Sequence, residues 1–518
     1  MKNAFRLPSF GRTDGLLLLI VLFKILLHGV TNHTALGYGY FRDEFYYLAN
    51  ADRLAFGYVD HPPLSIFVLA FSRLILGESL PALRILPALI GGATVLLTGL
   101  MARQLGGGRL AQGLAALAVT LAPIHLIMGS FFSMNAFEIF FWTLTAYLLI
   151  VLLTQDRPKL WLLIGVVVGL GVQNKHTMLT FVAALAVGLV LTPARQQLKS
   201  RWLWLGGLLA ALIVLPNLIW QWQNGWPSLE FYAIADLQKN VSTPPVEVFL
   251  NQMLVMNPVT LPIWLAGLGY YLFVPAARPV RLLGISYVIL LGLLMAAQSS
   301  RPDRIAGAYP MLLAAGAVTL QEISRRFVAR RWARGLAYTG IALLLAVSVV
   351  FLLVSLPLAL PTLTARVAVA VGAAQEIEQG KGGALPQYLA DRLDWPALVD
   401  TVATIYNGLS PAEQAQAVIF TSNYGQAGAI DFLGRAAGLP PAISGHNQYF
   451  LWGPGAATGE VVIGVGEAIA ARQELFAEIE QVATFQCTYC IENSTPIYLA
   501  KGLKIPISTF WDQVKHYD

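Results

Sequence analysis

Tyr40-Phe41-Arg42-Asp43-Glu44-Phe45-Tyr46-Tyr47 interrupts an otherwise very apolar chain, and Asp60-His61-Pro62-Pro63-Leu64 follows in the same loop. One long hydrophobic segment precedes this loop and another follows it. The loop therefore lies at a membrane–water boundary. Adjacent carboxylates are costly there unless water, a cation or a reaction occupies the site. An aspartate ringed by Arg42, His61 and several tyrosines points to acid–base chemistry on a substrate held at the membrane face.

Composition supports that setting. Hydrophobic residues make up 56% of the 518, charged residues 12%, and the mean hydropathy is +0.62. A soluble domain carries about 25% charged residues. The formal charge is +6, but the basic residues sit in short clusters between apolar segments, which argues for membrane topology and against nucleic-acid binding. The first apolar segment contains Lys24 and His28, and no small-residue cleavage site clearly follows it. It reads as a retained first helix, in which Lys24 snorkels or faces other helices.

A spanning helix needs about 20 mostly apolar residues. Eleven spans are predicted, near 15–35, 82–102, 110–128, 136–154, 160–174, 177–193, 202–220, 253–274, 282–298, 307–322 and 336–356. One set of alternate loops carries Lys2, Arg6 and Arg12, then Arg103 and Arg109, Arg157 and Lys159, Arg195, Lys199 and Arg201, Arg278 and Arg281, and the cluster Arg325, Arg326, Arg330, Arg331 and Arg334. The opposite loops are poorer in positive charge. The asymmetry predicts a cytoplasmic amino terminus in a plasma (inner) membrane and an outer carboxyl terminus. Asp43, Glu44, Asp60, His61, Lys175, His176, Arg301, Asp303 and Arg304 then all fall on the outer face, as does the polar loop 221–250 with Trp222, Trp226, Glu230 and Asp236.

The first outer loop, 36–81, has semi-periodic apolar stretches at 45–56 and 63–76 that suit short interfacial helices, with Pro62-Pro63 breaking the chain between them. The texture changes after Pro361. Val418-Ile419-Phe420 and Val461-Val462-Ile463-Gly464-Val465 read as buried strands, and 388–407 and 467–482 as amphipathic helices. The organisation expected is a membrane domain over 1–361 and an extracytoplasmic α/β domain over 362–518. Cys487 and Cys490 are the only cysteines. They read as a local disulfide or a pair of free thiols, because a metal site needs further ligands.

Three motifs carry a family resemblance: Arg42-Asp43-Glu44-Phe45-Tyr46-Tyr47, Asp60-His61-Pro62-Pro63-Leu64, and Arg84-Ile85-Leu86-Pro87 at the second span. Asn174-Lys175-His176-Thr177 and Tyr309-Pro310 add weaker support. With them the chain resembles the GT-C type membrane glycosyltransferases that take sugars from polyprenyl phosphates, among them the protein mannosyltransferases and the lipid A aminoarabinose and galacturonic acid transferases. The resemblance implies a polytopic α-helical fold of about eleven spans with an outer tail. It also implies an inverting transfer from a polyprenyl-phosphate sugar to a hydroxyl of a lipid, glycan or protein acceptor.

The resemblance implies that Asp43 is the base. Glu44 is a second catalytic candidate, or a holder of acceptor or cation. Arg42, Tyr46, His61 and Arg84, from the same motifs, are candidate substrate contacts. Lys175, Arg301 and Arg304, with His176, are candidates for meeting the lipid phosphate. No metal ligand set stands out, and a divalent cation is an alternative source of positive charge. Each residue also has a plainer role available: Asp43 pairing with Arg42 or Arg84, His61 pinning its loop, Arg301 and Arg304 snorkelling. Two other functions fit the architecture, a lipid-linked oligosaccharide ligase and a transporter or flippase. The chain shows no internal repeat of the kind transporters carry.

Overall fold

Several helices of this chain pack closely at glycines, and several breaks precede a proline. The computed structural model describes residues 15–32, 35–327 and 331–518. Lys2, Arg6, Arg12 and Arg330 lie outside them, and the side chains of Asp236, Arg331 and Arg334 are not described. The chain divides into two compact units. One comprises Met1–Asn32, Arg84–Leu218 and Ser242–Leu358; the other comprises His33–Leu83, Ile219–Val241 and Ala359–Asp518.

The first unit is helical. Among the described residues four helices are long and apolar enough to cross a membrane: Leu80–Gln104, Met134–Gln155, Arg201–Gln223 and Tyr338–Ser355. Two further bent pairs pass the same test together, Thr177–Leu191 with Pro193–Lys199 (104°) and Pro245–Val255 with Pro258–Phe273 (96°). Gly15–Thr31, Leu160–Asn174 and Leu282–Ala296 are apolar but shorter. Spans expected as single rods are thus often divided. The segment 110–128 breaks at Leu121-Ala122, ahead of Pro123, into Arg109–Thr120 and Pro123–Met128, where proline opens a new helix.

Within this unit helices meet backbone to backbone at glycines. A Cβ added at Gly267 would strike the Leu312 carbonyl, and one at Gly316 the Ile263 carbonyl. Helices Leu261–Phe273 and Tyr309–Phe327 can approach so closely only because both positions lack a side chain. Gly165 and Gly206 make the same arrangement between Leu160–Asn174 and Arg201–Gln223. Lys24 does not snorkel. It is buried, and its ammonium donates to the carbonyls of Thr120 (3.4 Å) and His125 (3.0 Å). Those carbonyls lie at the break after Thr120, where helix-end acceptors lack intrahelical partners.

The second unit joins the first outer loop to the tail. Its loop helices are Arg42–Ala51 and Leu64–Leu76. Its sheet has five strands, β1 (Ala417–Thr421), β2 (Ala442–Ser444), β3 (Val461–Val465), β4 (Phe476–Phe485) and β5 (Thr495–Leu503), in the order β2-β1-β3-β5-β4. β1 runs parallel to β2 and β3, while β5 is antiparallel to β3 and β4. Phe420, Val462, Phe476, Phe510 and Trp511 pack one core. Both strands expected from the sequence form. The helix expected at 467–482 does not: Phe476–Phe485 is β4, paired along β5. Its Ala, Glu and Gln favour helix locally, but cross-strand pairing outweighs propensity. Cys487 and Cys490 form a disulfide.

Candidate active site

Helix Arg42–Ala51 begins where the sequence motif sits. Its two acidic residues occupy the first turn, the favourable end of the helix dipole. They do different things there. The Glu44 carboxylate reaches back and accepts from the Phe41 backbone N–H (2.8 Å), and the side chain is 1% exposed. This is half a capping box; the phenylalanine at the cap has no acceptor to complete it. Asp43, one residue earlier, keeps 29% of its side chain open.

Asp43 is held by two groups that meet the same oxygen. Tyr424 donates its hydroxyl to Oδ1 (2.9 Å), and Arg42 Nε lies 3.5 Å from Oδ1. Arg42 is buried among three carboxylates. Besides Asp43 it lies 3.5 Å from Glu378 and 3.8 Å from Asp391. Gln387 donates to Glu378 (2.8 Å), and Lys381 pairs with it at 3.1 Å. Burial drives the Asp391 carboxyl up to about 7, against the opposing pull of Arg42 and Lys381 and with help from Glu378 and Asp43. Burial likewise holds the Tyr424 hydroxyl well above its ordinary range, so it stays a donor.

Tyr46 and His61 form the next layer. The Tyr46 hydroxyl donates to Asp60 Oδ1 (2.8 Å) and accepts from the Gln448 N–H (3.1 Å). Its ring lies 4.6 Å from that of Tyr424. His61 is fully buried. Its Nδ1 faces the Pro62 carbonyl (3.0 Å) and so carries the proton, leaving Nε2 to accept from Asn50 (3.4 Å). The ring stacks on Tyr47 at 4.9 Å. His61 therefore pins its loop in this structure while lying beside Asp60 (4.0 Å).

Helix Tyr424–Leu433 delivers Tyr424, and glycine lets it come close. A Cβ at Gly425 would strike the Arg42 side chain, and one at Gly428 would lie 2.8 Å from the Phe45 backbone. Asn423 caps this helix by accepting from the Gln426 N–H (2.9 Å). Sequence reasoning missed Tyr424, Glu378 and Asp391. Nothing local marks them, since they reach Asp43 and Arg42 only through the fold.

The remaining candidates lie in the first unit. Lys175 is not a lone ammonium. It donates to Asn135 (2.6 Å) and Glu138 (2.7 Å) and lies 3.8 Å from Asp303. Thr177 donates to Glu138 as well. Arg301 pairs with Asp303 at 3.4 Å, and the backbone N–H of Arg304 donates to the Arg301 carbonyl (3.3 Å). His176 Nε2 meets Asn217 at 3.2 Å. Arg84 is fully buried, and its carbonyl accepts from Asn32 (3.5 Å). Glu138 was findable, being the single carboxylate in an apolar span.

Two clusters among the described residues have metal-ligand types close together: His446, His516 and Asp518, and Asp394 with the two cysteines. In the first, His446 Nδ1 accepts from the Tyr424 N–H (3.3 Å) and Nε2 faces the Asp518 carbonyl (3.0 Å). His516 faces the carbonyls of Val514 (2.9 Å) and Ser422 (3.2 Å). These nitrogens are engaged in hydrogen bonds. In the second cluster the sulfurs are joined to each other.

One expectation concerns pH. Asp391 titrates at about 7 rather than 3.8, so the folded state holds a proton that the unfolded state releases. Stability must then fall as pH rises from about 4 to about 7 and level off above. Asp391→Asn should flatten that fall, so that the variant melts no lower than the parent at pH 8. Melting temperatures of both proteins across pH 4–8 check this; an unchanged slope would show that Asp391 is ionised throughout.

Residues 60–220 match the family of dolichyl-phosphate-mannose-protein mannosyltransferases. No curated protein matches the chain by sequence. Among solved structures, the chain is similar to ArnT from Cupriavidus metallidurans bound to undecaprenyl phosphate, at 15% identity and TM-score 0.59 over 94% of this chain and 98% of that one. The apo form of ArnT gives 14% and 0.60 over the same shares. Archaeal oligosaccharyltransferase AglB from Archaeoglobus fulgidus, in complex with an inhibitory peptide and a dolichol-phosphate, gives 12% and 0.51 over 82% of this chain and 64% of AglB. The resemblance read from the motifs is borne out: this chain has the fold of the GT-C membrane glycosyltransferases and carries, over residues 60–220, the signature of the mannosyltransferase family within them.

Proposed function

We propose that this protein is an inverting glycosyltransferase that moves a sugar from a polyprenyl-phosphate donor to an acceptor hydroxyl, with Asp43 as the base. The observation that carries the reading is the state of the Asp43 carboxylate. It is partly open and positioned by Arg42 and Tyr424, while its neighbour Glu44 is committed to the helix start. In the reaction the acceptor oxygen bonds to the sugar C1 as its proton passes to Asp43, and the C1–O bond to the lipid phosphate breaks. A positioned carboxylate speeds such a step by about 10²–10⁴-fold.

The leaving phosphate needs positive charge. Lys175, Arg301 and Arg304 are proposed for it, although Lys175 is paired with Glu138 and Arg301 with Asp303. Glu44 is proposed to shape the loop. The membrane placement belongs to the same proposal: plasma membrane, amino terminus cytoplasmic, tail outside. So does the acceptor, a lipid, glycan or protein. A lipid-linked oligosaccharide ligase is the second reading. It shares the architecture, and AglB, an oligosaccharyltransferase, gives the more distant fold match.

The test is transfer of radiolabelled sugar to membrane extract from a panel of polyprenyl-phosphate monosaccharides and lipid-linked oligosaccharides. Transfer of a single sugar supports the first reading, and transfer of an oligosaccharide alone selects the second. With intact protein and suitable extract, no transfer from any donor would remove both and favour a transporter. The same assay with and without a chelator reports on divalent-metal dependence.

A further inference from the structure

The tail, 362–518, is where the sequence offered no role, yet it supplies the closest hydrogen-bond partner of Asp43. We infer that Tyr424 is a positioning residue of the active site, fixing Asp43 through Oδ1 so that Oδ2 is the oxygen that takes the acceptor's proton; this rests on the glycosyltransferase reading above.

The geometry is specific to one oxygen. Tyr424 and Arg42 both approach Oδ1, and among the described residues no contact falls on Oδ2. A carboxylate so held cannot rotate freely, and its open lone pairs belong to one atom. The phenol donates to Oδ1 and the guanidinium faces the same atom, leaving Oδ2 to receive a proton.

Tyr424 is itself preorganised, as a supporting residue must be. Its backbone N–H donates to His446 Nδ1 (3.3 Å). Its ring is packed between those of Tyr46 (4.6 Å) and His446 (4.7 Å). The cap that starts its helix is anchored in turn: Asn423 and Gln426 both donate to Glu492 (3.1 and 2.6 Å). Gly425 and Gly428 set the helix against Arg42 and Phe45. The fold places the hydroxyl by backbone, ring and helix contacts, so removing the oxygen alone leaves the placement intact. The Asp43 charge acts on Arg42, Asp391 and Tyr424; Glu378, Asp60 and Lys381 act in turn on those groups, and among the described residues only Tyr424 and Arg42 touch the carboxylate.

The experiment is Tyr424→Phe in purified full-length protein, with Asp43→Asn alongside, read as kcat, donor KM and the pH–rate profile. Loss of a hydrogen bond to a charged group should lower kcat about tenfold. It should also move the acid limb of the profile, with donor KM unchanged. A merely structural tyrosine would lower the melting temperature and leave the acid limb in place. If the phenylalanine variant does not fold, 3-fluorotyrosine at 424, a stronger donor, should move the limb the other way.

An inactive Asp43→Asn with a slowed, shifted Tyr424→Phe supports the inference. An inactive Asp43→Asn beside a Tyr424→Phe of unchanged kcat and profile overturns it and leaves the proposed function standing. Full activity in Asp43→Asn overturns both.

Discussion

Asp43→Asn protein, purified at the same yield and melting temperature as the parent, should transfer sugar about 10²–10⁴ times more slowly. The amide can still accept from Tyr424 at Oδ1, so the loop should keep its shape. What it loses is the ability to take a proton. Donor affinity should change little, because a base acts on the acceptor hydroxyl in the transition state, and the loss should fall on kcat. Initial rates at saturating donor check this. A variant with parental kcat would move the base elsewhere, Glu44 being the nearest carboxylate in sequence, although it is already spent on the Phe41 N–H.

Arg42→Met should strongly destabilise the second unit. Arg42 is 5% exposed and faces Asp43, Glu378 and Asp391. Methionine fills much of the volume and leaves three carboxylates facing one another. Removing one partner of a buried ionic group costs about 3–5 kcal/mol, and the effect should be visible as a lower denaturant midpoint at neutral pH. Arg42 pulls the Asp391 carboxyl down, so without it that carboxyl keeps its proton to higher pH; the deficit should be largest at alkaline pH and shrink as pH falls to about 7, and Arg42→Met with Asp391→Asn should recover part of it. A loss that is the same at pH 5 and pH 8 would mean that charge crowding is not its cause.

These two residues show what the sequence could reveal. Asp43, Tyr46 and His61 were legible because they fall in one short loop between apolar segments, where charge demands a reason. The pair formed by Glu138 and Lys175 was half legible: Lys175 was singled out, Glu138 was passed over although it is the single carboxylate of its apolar span, and only the fold joins them. Glu378 and Tyr424 were silent. They stand 336 and 381 residues from Arg42 and Asp43, in a tail whose local pattern speaks only of strands and helices. The membrane part was legible as apolar segments. It was less so as continuous rods, because the bends at Pro193 and Pro258 and the break before Pro123 depend on how neighbours satisfy the freed backbone groups. The strand at Phe476–Phe485 was lost because its residues favour helix and its partner lies in the following strand.

The 381 residues between Asp43 and Tyr424 also separate two moments in the life of the chain. At about 5–20 residues per second, a ribosome that has finished the motif works on for about 20–80 s before it reaches the tyrosine. Throughout that interval the nascent polypeptide carries the Asp43 carboxylate without the hydroxyl that donates to it. If Asp43 is the proposed base, products cut short before Tyr424 would lack the hydroxyl that holds it, and quality control of the last quarter of the chain would decide how fast sugar is transferred.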